Sequence, residues 1–284
     1  MSTVALRSAP LALSACDSLK RPQLQECPQR HFSANTSESS KRFLSSHNVS
    51  LDGTALSTSP PIPDYLRNEY WWAYGNPYCI RALDHQILVN IVLWGNFQML
   101  RDVALKELCD EESLLHGRTL QVACVYANFT ESLVGHMTPA SKLDVIDVIP
   151  AQLENLKRKL RPAKNVTLSC YDAQDLGFDN GTFDQVILFF LLHETPTPVR
   201  LKTLKEVERV VKPGGKIVFV DYHRPDTFWW QSIMAGMYNL YEPFAMDLWK
   251  HEIQEWLPYE LKHCHISKEV YFGGLYQKVV VTKE

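Results

Sequence analysis

From residue 119 onward, short apolar runs alternate with stretches of helical periodicity. Thr119 to Val125 is an apolar run of buried-strand length, set off by the chain break at His116-Gly117. Leu143 to Val148 predicts a second strand, followed by a helix opening near Pro150 and running through Leu160. Val166 to Cys170 is a third, and Phe183 to Leu191 a fourth, entered by the turn Asp179-Asn180-Gly181. A helix through Val207 stops at Lys212-Pro213-Gly214-Gly215, and a fifth strand covers Lys216 to Asp221. From Leu261 to Val281 two strand-like runs flank Gly273-Gly274, which predicts a closing hairpin. Upstream, Pro60-Pro61-Ile62-Pro63 precedes an aromatic knot of Tyr65, Tyr70, Trp71, Trp72 and Tyr74. A helix is expected after Pro77, with Ile80, Leu83, Ile87, Leu88, Ile91 and Val92 at helical spacings. Strands separated by helices imply an α/β protein, a mostly parallel sheet with helices on both faces and an antiparallel C-terminal hairpin. Ligands of such sheets bind beyond the carboxyl ends of the strands. That places the site just after Val125, at Asp147, at Asp172, near His193 and near Asp221.

Composition narrows the class. The 284 residues are 45% apolar, enough for a sizeable core, and exclude a disordered, collagen-like or disulfide-stapled chain. A net charge of −3 gives no reason to expect nucleic acid. Seven widely spaced cysteines without a CxxC pair suit a reducing interior and favour neither zinc fingers nor secretion. Residues 1–60 differ from the rest: they carry thirteen serines and six basic but only four acidic residues. A Ser-rich, Arg-bearing, acid-poor leader reads as a mitochondrial transit peptide and linker, with Arg30-His31-Phe32-Ser33 and Arg42-Phe43-Leu44-Ser45 as candidate cleavage sites. A disordered cytosolic tail is the alternative. Residues 61–284 form the main domain, with an aromatic helical region at 65–105 and an aromatic and Met-rich insertion at 226–257. The best apolar run, Ile87 to Trp94, is short and interrupted by Asn90, so no bilayer span is expected. No motif specifies an oligomeric state.

Asp147 lies about 20 residues after the first strand-to-helix turn, the interval at which an acid reaches a ribose diol. With Tyr171-Asp172-Ala173-Gln174-Asp175-Leu176 and Val211-Lys212-Pro213-Gly214-Gly215-Lys216, it resembles the class I S-adenosylmethionine-dependent methyltransferases over residues 117–222. The resemblance implies a Rossmann-like fold, Asp147 on the ribose hydroxyls, and Asp172 with Ala173 at the adenine. Helix capping by Asp147 and a turn role for Asp172 are the plain alternatives. The first motif departs from that family. Where it carries an acid and three alternating glycines, this chain has Gln121, Ala123, Val125 and Ala127. Val125 is poor at positive φ and projects bulk toward the methionine end of the cofactor. Ala123, Val125, Tyr126 and Ala127 should therefore hold that end differently. Without an acid at 121, the cofactor's amine is freer to deprotonate and act as a nucleophile. A degenerate pocket that binds nothing is the opposing reading.

Longer motifs carry a second, more specific resemblance. Tyr70-Trp71-Trp72-Ala73-Tyr74, Val122-Ala123-Cys124-Val125-Tyr126, Leu188-Phe189-Phe190-Leu191-Leu192-His193-Glu194 and Phe219-Val220-Asp221-Tyr222-His223-Arg224-Pro225 are similar to the rhodoquinone-biosynthesis family. That resemblance implies conversion of ubiquinone to rhodoquinone. A ring methoxy group gives way to an amino group drawn from S-adenosylmethionine, with Mn²⁺ as the associated metal. Such chemistry needs a nucleophilic amine, a polarised quinone carbonyl and help for the departing methoxide. His193, Glu194, Tyr222 and His223 are the candidate catalytic groups, and His193, Glu194, Asp221 and His223 the candidate metal ligands. His263-Cys264-His265 reads as a sheet-face feature with two imidazoles on one side of a strand. For a polyprenyl substrate, Tyr70, Trp71, Trp72, Tyr74, Trp229, Trp230, Met234 and Tyr238 are the expected apolar contacts, forming a lid. Peripheral attachment to lipid at the matrix face of the inner membrane follows as an expectation. Two rivals remain: a conventional quinone or lipid methyltransferase, and a non-enzymatic assembly factor with a methyltransferase-like fold.

Overall fold

The computed structural model describes residues 60–74, 77–160 and 165–284. The expected transit peptide and its cleavage sites lie outside the described residues. Five helices lead in: α1 (Asp64–Glu69), α2 (Trp71–Tyr74), α3 (Pro77–Leu83), α4 (Gln86–Val92) and α5 (Phe97–Leu108). The alternating part follows as β1 (Arg118–Val122), α6 (Phe129–Gly135), β2 (Lys142–Asp147), α7 (Pro150–Lys159), β3 (Val166–Cys170), β4 (Phe183–Phe189), α8 (Thr197–Val210) and β5 (Val211–Tyr222). Four helices, α9 (Phe228–Tyr241), α10 (Asp247–Lys250), α11 (Ile253–Trp256) and α12 (Tyr259–Lys262), precede β6 (His265–Tyr271) and β7 (Tyr276–Thr282).

The strands form one seven-stranded sheet in the order β3-β2-β1-β4-β5-β7-β6. The first five run parallel, and β7 lies antiparallel between β5 and β6. Because helices cover both faces, the central strands are apolar on both sides: Leu120, Val122, Val145, Ile187, Val218 and Phe219 are all fully buried. The chain order reverses between β1 and β4, which opens a crevice at their carboxyl ends. Pro150 and Pro198 sit in the first turns of α7 and α8, where a missing N–H costs nothing.

Where boundaries depart from the sequence pattern, left-handed residues explain two of them. The first strand stops at Val122 because Ala123 takes φ 71°, and the fourth stops at Phe189 because Phe190 takes φ 55°. The expected helix after Pro77 is two helices. Asp84 turns inward to Asn155 (2.7 Å) and Lys159 (2.8 Å), and the His85 side chain accepts from the Ile87 N–H to open α4 afresh. The C-terminal hairpin begins at His265, not Leu261, which is buried in α12. His263 terminates that helix, so the two imidazoles of His263-Cys264-His265 do not share a strand face.

Candidate active site

Two groups of side chains meet at the carboxyl ends of the central strands. The first surrounds the turn after β1. Ala123 and Ala127 adopt φ of 71° and 57°, the left-handed region that glycine occupies without penalty. Val125 is not among the left-handed residues, so the β-branched residue avoids the strain its position threatened. The turn therefore keeps a glycine-like path at two alanines, each adding a methyl group to its lining. Gln121 braces the path: its Nε2 donates to the Ala123 carbonyl (2.9 Å) and its Oε1 accepts from Thr130 (3.0 Å). A neutral amide thus occupies the place where an acid was expected.

Asp147, at the end of β2, joins two loops. One carboxylate oxygen accepts from the Cys124 N–H (2.9 Å) and the other from the Ile149 N–H (2.8 Å). Burial pushes its pKa up to about 6, with those backbone donors pulling the other way. The N-cap of α7 is Ile149, without a side-chain cap, so Asp147 does not serve as that cap. Asp172 makes an Asx turn by accepting from the Gln174 N–H (2.9 Å). Asp147, Asp172, Ala173, Ala123, Tyr65, Tyr74 and Glu194 line one cleft. Tyr126 stands beside it, with its hydroxyl accepting from Gln152 (3.0 Å) and its ring 6.5 Å from that of Tyr74.

The second group is built on a short 3-10 turn, Leu192–Glu194, after β4. His193 is buried, and its Nδ1 donates to Asp221 Oδ1 at 2.8 Å. Asp221 also accepts from the backbone N–H groups of Tyr222 and Leu192, both at 2.8 Å. Its oxygens are committed to holding the imidazole and the turn. The free Nε2 faces Glu194 at 4.0 Å and Glu242 at 3.9 Å. Each carboxylate is positioned by a tyrosine from the lead-in helices: Tyr74 donates to Glu194 (2.7 Å) and Tyr70 to Glu242 (2.9 Å). Burial lowers the imidazole pKa, but Asp221, then Glu242 and Glu194, outweigh it and raise the value to about 9. Burial raises both glutamates above the ordinary carboxylate range, against the pull of His193.

Among the described residues, His193, Glu194 and Glu242 bring one ligand atom each within 4.8 Å of one another. One imidazole and two carboxylates form a donor set suited to Mn²⁺, and the Asp221 bond to Nδ1 leaves Nε2 as the ligand atom. The set differs from the one expected. Asp221 is spent on the imidazole, and His223 points away. β5 ends at Tyr222, and the following loop turns His223 toward the Gly274 carbonyl (2.7 Å) and Lys268 (3.0 Å). Glu242 was not foreseen. Its signal is that no other charged residue occurs between Asp226 and Asp247.

Arg200 was also missed. Fully buried on α8, it donates to the carbonyls of Leu192 (3.1 Å), Thr195 (2.7 Å) and Phe244 (3.4 Å), and its guanidinium lies 4.2 Å from the Trp256 ring centroid. It therefore ties the turn bearing His193 and Glu194 to the loop after Glu242.

The expected substrate aromatics divide. The Tyr222 ring packs 4.8 Å from His193 and 4.9 Å from Tyr238, and Tyr238 and Met234 are fully buried beneath α9. Tyr70 and Tyr74 hold the two glutamates. Trp72 lies against Tyr241 at 6.2 Å, and the Trp71 side chain is outside the described residues. Trp229 and Trp230 do not join the site. Trp230 is half-buried against the core and packs on Trp94, while Trp229 stays 58% exposed.

Residues 119–215 match the family described as a methyltransferase domain. A demethylmenaquinone methyltransferase of Staphylococcus aureus is 30% identical over 176 residues, 60% of this chain and 69% of the relative. The chain belongs to the class I S-adenosylmethionine-dependent methyltransferase family. The enzyme of the same name from Staphylococcus saprophyticus is 32% identical over 161 residues, 57% of this chain and 65% of that one. The crystal structure of a putative O-methyltransferase from Nostoc punctiforme shares the fold at 15% identity, with a TM-score of 0.51 over 82% of this chain and 64% of that one. In this chain Asp147 ends β2, Asp172 follows β3, and the turn after β1 carries Ala123, Val125 and Ala127.

Proposed function

We propose that this protein replaces a methoxy group of a ubiquinone-type ring with an amino group taken from S-adenosylmethionine, making rhodoquinone. One observation carries the reading: a metal-competent trio, His193, Glu194 and Glu242, adjoins the cleft lined by Asp147 and Asp172, and Glu194 belongs to both. Methyl transfer is a direct displacement at the methyl carbon and does not call for a polarised quinone carbonyl. Amination needs a polarised carbonyl, a proton for the departing methoxide and cleavage of the donor's Cα–N bond. That cleavage balances when the ring–NH–Cα adduct tautomerises to a hydroquinone imine, which water hydrolyses to the aminohydroquinone and a 2-oxo acid.

His193, Glu194 and Glu242 would hold Mn²⁺, which supplies Lewis-acid polarisation of a quinone carbonyl when bound. Asp147 would take the ribose hydroxyls of S-adenosylmethionine, and Asp172 with Ala173 the adenine. The Ala123 methyl group would narrow the space for its methionine end, while the neutral Gln121 would offer no partner to hold the amine protonated. Tyr70 and Tyr74 hold the two carboxylates, and Tyr222 walls off the imidazole from water. The Arg- and Ser-rich first 60 residues support location in the mitochondrial matrix.

Conventional methylation of a quinone is the second reading, favoured by the two staphylococcal relatives. The deciding experiment incubates the protein with a short-tailed ubiquinone, Mn²⁺ and S-adenosylmethionine carrying ¹⁵N in its amino group. A lighter quinone bearing the label is the expected result. A heavier, unlabelled quinone with release of S-adenosylhomocysteine establishes methylation instead.

A further inference from the structure

α9 has two apolar sides and only one is used. Met234 and Tyr238 face inward and are fully buried, packed toward Tyr222 and the candidate site. On the opposite side Phe228 is 81% exposed and Leu240 70%, with Trp229 and Ile233 between them. At 100° per residue Trp229, Ile233 and Leu240 fall within about 40° of one another, and Phe228 opens the helix to one side of them. α4 repeats the pattern, with Ile87 65% and Ile91 58% exposed one turn apart. The two surfaces are joined by rings: Trp94, just after α4, meets Trp230 edge-on at 4.9 Å, and Trp229 stacks on Trp230 at 4.8 Å. Exposed apolar side chains scattered singly are ordinary, but a joined patch of this kind marks a docking surface.

The charge pattern says what docks. Neither Gln86 to Leu100 nor Thr227 to Tyr241 contains a single Asp, Glu, Lys or Arg. Outward faces of solvated helices carry charge, and surfaces steered to anionic lipid or acidic proteins carry Lys and Arg. The exposed large side chains of these two stretches are aliphatic or aromatic, which matches the neutral boundary between headgroups and acyl chains. No helix among the described residues is long and apolar enough to cross a bilayer, so the patch lies on the membrane rather than through it. We infer that α4 and α9 together seat the protein on a lipid bilayer through hydrophobic insertion, without an electrostatic contribution. α9 then separates lipid from the site by one helix, and, resting on the quinone reading above, a polyprenyl tail leaves the ring across it into the bilayer.

The test uses the full chain and vesicles of pure phosphatidylcholine. Co-sedimentation should be equal at low and high salt, and lipid brominated near the headgroup end of its chains should quench tryptophan fluorescence. Ile91→Asp and Leu240→Asp should each lower partitioning about tenfold, the effect of withdrawing one large apolar side chain from a nonpolar phase. Both positions are exposed, so thermal unfolding of the variants should match that of the parent chain. The inference is overturned if the chain stays in the supernatant, or binds only anionic vesicles and is released by salt. It is equally overturned if both variants bind like the parent, or if gel filtration shows a dimer that Ile91→Asp dissociates while vesicles have no effect. Vesicle binding requires no turnover, so its failure and that of the amination reading are separately visible.

Discussion

Single residues set the chemistry here, and two of them can be interrogated directly. Asp147 has a pKa raised to about 6 chiefly by burial, so the carboxylate that would accept two ribose hydroxyls exists only above that pH. Affinity for S-adenosylmethionine should fall as pH is lowered through about 6, because the protonated acid loses an acceptor. Titration calorimetry from pH 5 to 8 would show this, and Asp147→Asn should bind weakly and without the pH step. Glu242 is a ligand in this reading only if the trio holds metal. Addition of Mn²⁺ at about a hundred times its dissociation constant should stabilise the chain by about 2.7 kcal/mol, read as a rise in melting temperature. Glu242→Gln should abolish that rise, and a variant that still responds to Mn²⁺ would remove Glu242 from the site.

At the scale of elements, the turn after β1 and the clamp on α8 decide the shape of the cleft. An L-residue in the left-handed region costs about 1–2 kcal/mol, and glycine relieves it at an unfolded-state cost of roughly 0.4–1 kcal/mol. Ala123→Gly should therefore leave stability unchanged or raise it by up to about 1.6 kcal/mol in urea melts. Destabilisation would mean the Ala123 methyl group supplies packing that outweighs the strain. Arg200 contributes differently: its removal strips the Thr195 carbonyl of its donor, while the Leu192 carbonyl keeps the Thr195 hydroxyl and the Phe244 carbonyl keeps the Asp247 N–H. Arg200→Met should cost about 1–3 kcal/mol, the cost of one buried acceptor left unpaired. The sequence pattern found β3 and α7 well, because Val166 to Cys170 and the stretch from Pro150 have clear periodicity and stops. It could not see Arg200 as a clamp. An arginine among the charged residues of an amphipathic helix looks solvated until the neighbours that bury it are known.

Over the whole molecule, the lead-in helices complete a site that the sheet begins. Tyr70 reaches Glu242 across 172 positions of sequence and Tyr74 reaches Glu194 across 120. A hydrogen bond to a charged group contributes about 1.5–3 kcal/mol. Tyr70→Phe should accordingly lower stability by about 2 kcal/mol and weaken Mn²⁺ binding, because Glu242 loses the donor that orients it. Chemical denaturation with and without Mn²⁺ separates the two effects, and an unchanged metal response would show that Tyr70 serves packing alone.

The sequence by itself determined the order of the seven strands and the helices α7 and α8 between them, the apolar strands that need cover on both faces, and the placing of Asp147, Asp172 and His193 at or just beyond strand ends. Those follow from local periodicity and from acids placed at the ends of apolar runs, which short stretches of chain can express. Only the tertiary structure decided that Glu242 and not His223 stands beside His193, that Asp221 is occupied in orienting the imidazole, and that Ile87, Ile91 and Trp229 face outward. The physical reason is the same in each case. Partners that close a site, or leave a helix face bare, lie tens to hundreds of residues apart, and an apolar stripe has the same spacing whether it meets core, lipid or water.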